Sequence, residues 1–404
     1  MSRADTAVLA LNAGSSSIKF ALFEAGDSLR QTRVGAVEGI GREGSTLRVE
    51  GEHPHDCDLR VVNAADHRAA IAVLMEWFDE HREQFVFHAV GHRVVHGGAR
   101  FSLPVSISAE VLKQLQALSP LAPQHLPEEV LLAEAIQLRW PDLPQVACFD
   151  TAFHHALPRV AQLLPIPRRF EGAGIRRYGF HGLSFTYLMG ELERLDGPAC
   201  ANGRVILAHL GSGASLAAVH HGQPVDTSMS FTPTGGVPMA TRSGDLDPGL
   251  LSYLAREFEL SPAQLDQMVR CESGLLGMSE TSSDMRELLE REPQDPRAAE
   301  AVAVFCYQIK KWIGAFAAAM GGLDTLVFSG GIGENAPAVR SRICERLAFL
   351  GVELDPARNA LSASVISAPQ GRTSVRVLKT DEERTIAALT CDVLGIARTT
   401  GTRP

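Results

Sequence analysis

The chain has 404 residues, enough for two to three domains at ~150 residues each. Its 45% hydrophobic and 21% charged residues are a globular mixture, which excludes collagen, coiled coil and long disorder. Lys+Arg 38 against Asp+Glu 47 leaves a net charge of -9, and no basic run exceeds two residues, so nothing favours a nucleic-acid partner.

An anionic ligand would therefore need locally focused positive charge. Lysine is scarce, at positions 19, 113, 310, 311 and 379 only, which draws attention to Lys19 in a small-residue loop. The seven cysteines are scattered without a Cys-x-x-Cys pair. That suits reduced thiols and a cytoplasmic location, with neither a disulfide framework nor a zinc module. Asp5 and the shortness of the apolar run Ala7–Leu11 argue against a signal peptide. The longest uncharged apolar stretch, Trp312–Leu323, is shorter than the ~20 residues of a membrane span and reads as a buried helix.

In chain order, Ala7–Phe23 reads as strand, small-residue turn, strand. Periodicity predicts helices over Ala64–Arg82, Ala109–Leu118 and Pro127–Leu138. Ala89–His96 reads as a buried strand, and Gln145–Phe149 as another that ends at Asp150. Val205–Val219 repeats the opening design: Gly14 aligns with Gly211 and Ser15 with Ser212. The repeat, half a chain apart, suggests two related lobes. Helices follow near Gly249–Glu259, Pro262–Cys271, Asp284–Arg291 and Pro296–Met320. Thr325–Phe328 is a strand running into Gly330–Gly333, and Ala338–Phe349 reads as a helix. A short strand, Arg376–Leu378, precedes a helix over Glu382–Leu394. Alternating strands and helices give an α/β class. The domain expectation is a first lobe, 1–150, joined by the C-terminal helix 382–397, and a second, nucleotide-binding lobe, 151–381. The extreme tail, Thr399–Pro404, reads as disordered.

Three Gly/Ser-rich turns end strands: Ala13–Ser17, Gly211–Ser215 and Gly330–Gly333. Residues without bulk let backbone N–H groups close on phosphate oxygens, and Lys19 supplies a counter-charge. A Walker A loop is excluded because Gly-Lys never occurs. Gly331-x-Gly333-x-x-Ala336 matches a dinucleotide fingerprint, so a nicotinamide oxidoreductase is an alternative, weakened by Asn335 and Pro337 at the helix start. Arg93, in a β-branched strand closing on Gly97-Gly98, must face a partner. His92 and His96 stand ~13 Å apart on a strand, too far to share a metal. His181, Arg242 and Asp150 each lie among small residues or at a strand end. Together with the glycine turns they form an inventory for phosphoryl transfer, where catalysis is positioning and charge neutralisation.

Asn12-Ala13-Gly14-Ser15-Ser16-Ser17-Ile18-Lys19 and His209-Leu210-Gly211-Ser212-Gly213-Ala214-Ser215-Leu216 resemble the two signatures of the acetate kinases. Gly91–Gly98, Arg177–Gly182, Thr241–Gly249 and Gly330–Asn335 match that family in order, over residues ~7 to ~395. The resemblance implies the duplicated two-lobe actin/sugar kinase/Hsp70-like (ribonuclease H-like) fold with a nucleotide in the cleft, usually as a homodimer. It implies reversible, direct in-line phosphorylation of acetate by ATP. Propionate or butyrate kinase, or a non-catalytic actin-like nucleotide module, are the remaining alternatives.

By motif, the resemblance makes Asn12 a magnesium (or manganese) ligand with Glu382, or alternatively Glu383. Lys19, His209, Leu210, Gly211, Ser212, Gly213, Asp284, Met285, Arg286, Gly331, Ile332, Gly333, Glu334 and Asn335 would hold ATP or ADP. Arg93 would hold the substrate carboxylate. Val95, two residues along the same strand face, and Pro233 would wall the acyl pocket. His181 and Arg242 would stabilise the transferring phosphoryl group, and Asp150 is the family's acid/base residue. Acetate is already ionised near pH 7, so its oxygen needs no base; orienting Arg93 or the metal's waters suits Asp150 better. The chain departs from the family pattern at Ser212 (usually Asn), Phe185 (usually His), Gln124 (usually Leu) and Leu126 (usually Asn).

Overall fold

The structure is a computed structural model and describes residues 6–14, 16–26, 28–52, 56–81 and 86–396. Ser15, Arg82 and the tail Thr399–Pro404 lie outside the described residues. The chain divides into two compact units: the residues up to Ala152 with those from Asp381 onward, and Phe153–Thr380.

The first unit is built on an eight-stranded sheet of β1 (Thr6–Ala13), β2 (Ser17–Ala25), β3 (Leu29–Glu38), β4 (Thr46–Gly51), β5 (Asp58–Val61), β6 (Phe87–Val94), β7 (Val105–Ser106) and β8 (Gln145–Phe149). The strand order is β5-β4-β3-β2-β1-β6-β8-β7. β1 is central, and its apolar run Ala7 to Leu11 is all buried, as a strand covered on both faces must be. Leu9, Leu11, Phe20 and Leu22 share one core with Leu74, Trp77 and Phe78 of helix His67–Glu80 and with Leu132 and Ile136 of helix Leu126–Arg139. Asp66 starts the first of these helices by accepting the Ala69 N–H at 2.8 Å. The C-terminal helix Glu382–Leu394 packs on β6 so closely that a side chain on Gly91 would collide with Ile386 and Thr390. It ends at Leu394, shorter than the expected 397, because Gly395 takes the left-handed conformation (φ 65°) that stops a helix.

The second unit holds β9 (Val205–Leu210), β10 (Ala214–His220), β11 (Gln223–Thr227), β12 (Thr325–Ser329) and β13 (Ser374–Val377) in the order β11-β10-β9-β12-β13. Its β9–β10 and β10–β11 pairs are antiparallel, and its β9–β12 and β12–β13 pairs are parallel. The strands β3-β2-β1-β6-β8 of the first unit repeat that order and those senses. The repeat read between the two hairpins is thus a repeat of a five-stranded motif. Helix Pro296–Met320 contains most of the apolar run from Trp312 and buries Ile313, Phe316 and Met320. Among the described residues no helix is long and apolar enough to cross a membrane.

Two local expectations are corrected. Gly330–Gly333 is not a turn: Gly330–Asn335 is a short helix that starts directly off β12. Gly330 has φ 75°, and a Cβ there would lie 2.7 Å from the Leu210 carbonyl oxygen. Only glycine makes that corner, after which the chain winds directly off β12. The helix expected over Ala338–Phe349 is instead Pro337–Cys344 followed by a single 3-10 turn, Ala348–Leu350.

Candidate active site

The first unit gathers carboxylates around one guanidinium. Arg93, near the end of β6, donates to Asp150 Oδ2 from Nε (3.0 Å) and from a terminal nitrogen (2.6 Å). Its other terminal nitrogen donates to the Ala13 carbonyl at 3.2 Å, which ties the guanidinium to the first glycine-rich turn. Burial works against the charge on Arg93, but Asp150, Glu382 and Glu129 outweigh it and raise its pKa. Val95 lies one residue beyond β6, which ends at Val94 and not at the expected His96, so the shared strand face expected for Arg93 and Val95 does not hold. Val95 is buried, its N–H donating to Glu129 Oε2 at 2.9 Å.

His92 and His96 do not share a site. His92 pairs through Nε2 with the Gln145 amide at 2.7 Å, and burial lowers its pKa to about 4. His96 accepts the Gly98 N–H at Nδ1, 2.8 Å away. Of the departures from the family pattern, Leu126 is buried, while Gln124 is exposed and forms no apolar wall.

Asn12 closes β1 opposite Lys19 of β2. Its amide nitrogen donates to Glu382 Oε2 at 3.0 Å and to Glu383 Oε1 at 3.1 Å. Burial first, then the neighbouring charge of Glu382, pushes the Glu383 carboxyl up. Two adjacent carboxylates already bridged by a neutral donor, with an amide oxygen beside them, form a hard-oxygen set that fits a magnesium ion. Because Asn12 touches both acids, the geometry leaves Glu382 and Glu383 as equal candidates.

The second unit builds a separate cluster. His181 has φ 58° and stands at the start of helix Gly182–Asp196. The segment before it is held from below: buried His154 donates from Nε2 to the Phe180 carbonyl at 3.0 Å. Gly179, at φ 74°, lies so close to the His154 ring that a Cβ would approach within 2.5 Å. His181 Nδ1 meets Ser215 Oγ at 2.8 Å, and its ring lies 4.7 Å from that of His209. Its Nε2 faces Gly213, where a Cβ would sit 3.2 Å away, and an Arg242 terminal nitrogen would lie 3.7 Å from the same point. Arg242 in turn donates to the Pro233 carbonyl at 3.1 Å.

The glycine-rich segments also meet within this unit. β9 and β12 run parallel in the register His209 to Ser329, so both end at the same edge. The nearest atoms to a Cβ on Gly211 would be the Gly213 carbonyl oxygen (3.4 Å) and the Gly331 nitrogen (3.9 Å). Leu210 is buried, whereas Ser212, Gly331 and Asn335 are exposed, with Ile332 between. Glu334 accepts the Gly330 N–H at 2.9 Å, and Asn335 donates to the Gly331 carbonyl at 3.0 Å.

The structure thus brings together His181, His209, Gly211, Gly213, Arg242, Pro233 and Gly331. Asp284, Met285 and Arg286 begin helix Met285–Arg291 some distance along the chain. Asp284 caps it and pairs with Arg286, while Met285 is buried. Phe185 fills the core against Phe153 and His154, which accounts for an aromatic at that position.

Two supporting residues escaped the sequence reading. Glu129 looks like an exposed acid in the first turn of a helix. Arg340 is fully buried and lacks a carboxylate partner among its hydrogen bonds. It donates to the Gly333 and Glu334 carbonyls (2.8 and 2.9 Å), to Asn359 Oδ1 and carbonyl, and to Ser362 Oγ. A cation at the C-terminal end of Gly330–Asn335 complements that end's negative partial charge.

Residues 7–388 match the model of the acetokinase family. An acetate kinase of Rhodopseudomonas palustris is 46% identical, covering 94% of this chain and 96% of that protein. A propionate kinase of Citrobacter rodentium is 42% identical, covering 96% of each. Among solved structures, an acetate kinase of Porphyromonas gingivalis has a TM-score of 0.85 at 37% identity, covering 96% of this chain and all of that one. A propionate kinase of Francisella tularensis has a TM-score of 0.89 at 34% identity with the same coverage. The fold is the α/β two-lobe actin/sugar kinase-like fold, and the nicotinamide alternative falls with it. The chain belongs to the acetokinase family.

Proposed function

We propose that this protein is an acetate kinase, transferring the γ-phosphoryl group of ATP reversibly to acetate. The observation that carries the reading is the convergence of His181 Nε2 and Arg242 on the bare backbone of Gly213. Two donors beside a glycine that lacks a Cβ leave room for a phosphoryl group near the glycine-rich end of β12.

In this reading Arg93 binds the acid's carboxylate, and Asp150 fixes the plane of the guanidinium. A carboxylate oxygen attacks phosphorus, and the bond from the γ-phosphorus to the bridging oxygen breaks. The electron pair leaves on ADP, and no proton changes hands. His181 and Arg242 hold the equatorial oxygens, where charge accumulates in the transition state. Ser215 keeps the imidazole turned so that Nε2 faces the phosphoryl group. Ser212 and Gly213 in the turn, and Gly331 and Ile332 in the first turn of Gly330–Asn335, would offer backbone N–H groups to the nucleotide, those of Gly211 and Gly330 being taken by the Gly213 carbonyl and Glu334, with Lys19 and Asp284–Arg286 as further contacts. Asn12 with Glu382 or Glu383 would hold magnesium, which when bound neutralises phosphate charge.

The test is direct. Protein, MgATP and acetate with hydroxylamine should yield acetohydroxamate. ATP hydrolysis without hydroxamate would instead indicate a nucleotide module that lacks acid transfer. Propionate is the second substrate reading, favoured by the two propionate kinases among the relatives.

We further propose a homodimer. Helices Pro248–Glu257 and Pro262–Cys271 bury none of their residues in the single chain. Leu250, Tyr253, Phe258 and Tyr307 are exposed in the same unit, a concentration of large apolar side chains that a second copy would cover. Light scattering on the purified protein measures this.

A further inference from the structure

Glu129 is a buried carboxylate placed beside a guanidinium that another carboxylate already occupies. Its Oε2 accepts the Val95 N–H at 2.9 Å. Its Oε1 lies 3.8 Å from an Arg93 terminal nitrogen and has no hydrogen-bond partner. Asp150 Oδ2 meanwhile takes two bonds from Arg93. With both acids ionised, one half-buried positive charge faces two negative charges before any substrate arrives. A substrate carboxylate would then be the third anion on a single cation, an arrangement that burial penalises heavily.

We propose that Glu129 sets the charge of the acid-binding pocket: with its proton it leaves Arg93 available to a carboxylate substrate, and without it Glu129 competes for the same guanidinium. This rests on the reading of Arg93 as the acid's partner. The charges facing Glu129 are Arg93 from β6 and Asp150 from the end of β8; Glu382 of the C-terminal helix acts on the same guanidinium. Burial pushes the Glu129 carboxyl up to about 8, against the opposing pull of Arg93 and the Val95 N–H, with Asp150 adding to the rise. The sign follows. Below that pH the proton is present; as pH rises through it the pocket gains one further negative charge and acid affinity falls. Glu129 touches no reacting atom, so it is a positioning residue whose charge is read through Arg93.

The experiment is a KM-against-pH series for acetate at saturating MgATP, from pH 6.5 to 9.5, on the unmodified protein and on Glu129→Gln. The amide keeps an oxygen for the Val95 N–H and cannot ionise. The unmodified protein should show a rising KM above about pH 8, approaching tenfold per pH unit, with kcat nearly flat. Glu129→Gln should hold a low, pH-independent KM. Parallel profiles for the two proteins would overturn the proposal. Should Glu129→Gln fail to fold, calorimetry of acetate binding to the unmodified protein with MgADP at pH 8.5, in two buffers of different ionisation enthalpy, decides the same point. Uptake of a fraction of a proton supports the proposal, and zero uptake refutes it. Arg93→Ala separates the two levels: an unchanged acetate KM in that variant would sink the reading of Arg93 itself, whatever Glu129 does.

Discussion

Asp150 accepts two hydrogen bonds from Arg93 on a single oxygen, at 3.0 and 2.6 Å, and is fully buried. That geometry describes a residue that aims a guanidinium. An acid/base residue would need a proton to move, and ionised acetate has none to give. Asp150→Asn should therefore lower kcat by about 10²-fold, the scale of a misplaced positioning group. The pH profile of kcat should keep its shape. Loss of a titrating limb in the variant would instead identify Asp150 as a base.

His181 and Arg242 are the strongest candidates for transition-state stabilisation. Loss of one such donor costs ~10²–10³ in turnover, so Arg242→Ala and His181→Ala should each lower kcat by that factor with the KM for ATP little changed. Ser215→Ala removes only the group that orients His181 Nδ1, and should cost about tenfold, a fraction of the donor's own effect. Wild-type turnover in either donor variant would end the assignment.

Much of this was legible in the sequence because it is local. The hairpins opening at Ala7 and Val205 announce themselves by apolar runs around small residues. Arg93 in an apolar strand demanded a partner, and the chemistry of acetate left Asp150 to orient either Arg93 or the metal's waters; the geometry joins it to Arg93. What stayed hidden depends on distant packing. Glu129 sits in a Pro-Glu-Glu helix start that reads as a solvated first turn; its burial comes from β6, thirty-odd residues earlier in the chain. Helix Gly182–Asp196 lacks a Ser, Thr or Asp cap and starts from His181 in a left-handed conformation, so no start signal marks it. Gly330–Asn335 looks like a loop because glycine disfavours helix. Its winding is secured by Arg340, a residue beyond the motif.

Arg340 accordingly makes a stability prediction. Replacing it with Met leaves the Gly333 and Glu334 carbonyls and Asn359 without their buried donor. Unsatisfied buried groups cost about 1–3 kcal/mol each, so Arg340→Met should lose about 3 kcal/mol or more in urea unfolding. If the helix it caps holds nucleotide, the KM for ATP should rise as well, and Arg340→Lys should recover only part of either effect.

Metal binding should be conditional on nucleotide. Asn12 already bridges Glu382 and Glu383 in the free protein, and a cation must displace those bonds with help only from one or two carboxylates. Magnesium prefers to keep waters and to share phosphate oxygens. Calorimetry should therefore show weak magnesium uptake by the free protein and strong uptake with ATP. Comparing Glu382→Gln with Glu383→Gln under both conditions identifies the ligand: the ligand's variant should raise the magnesium concentration needed for half-maximal activity far more than the other.

Chain-length preference should be decided at the end of the acid away from Arg93. If Val95 walls the acyl pocket as proposed, its burial and the bond from its N–H to Glu129 leave that wall little room to yield. Gln124, the polar residue that could have reshaped the pocket, is exposed. An extra methylene against a fixed wall changes discrimination by ~1–3 kcal/mol. Acetate should therefore be the best substrate, with propionate roughly tenfold lower in kcat/KM and butyrate poor. Val95→Ala should narrow the gap between acetate and propionate by giving the longer chain room, and should leave the KM for ATP unchanged. The measurement is kcat/KM for the three acids in the hydroxamate assay on both proteins. Equal values for butyrate and acetate in the unmodified protein would show that Val95 does not limit the pocket. They would place the chain with the longer-chain acid kinases of its family.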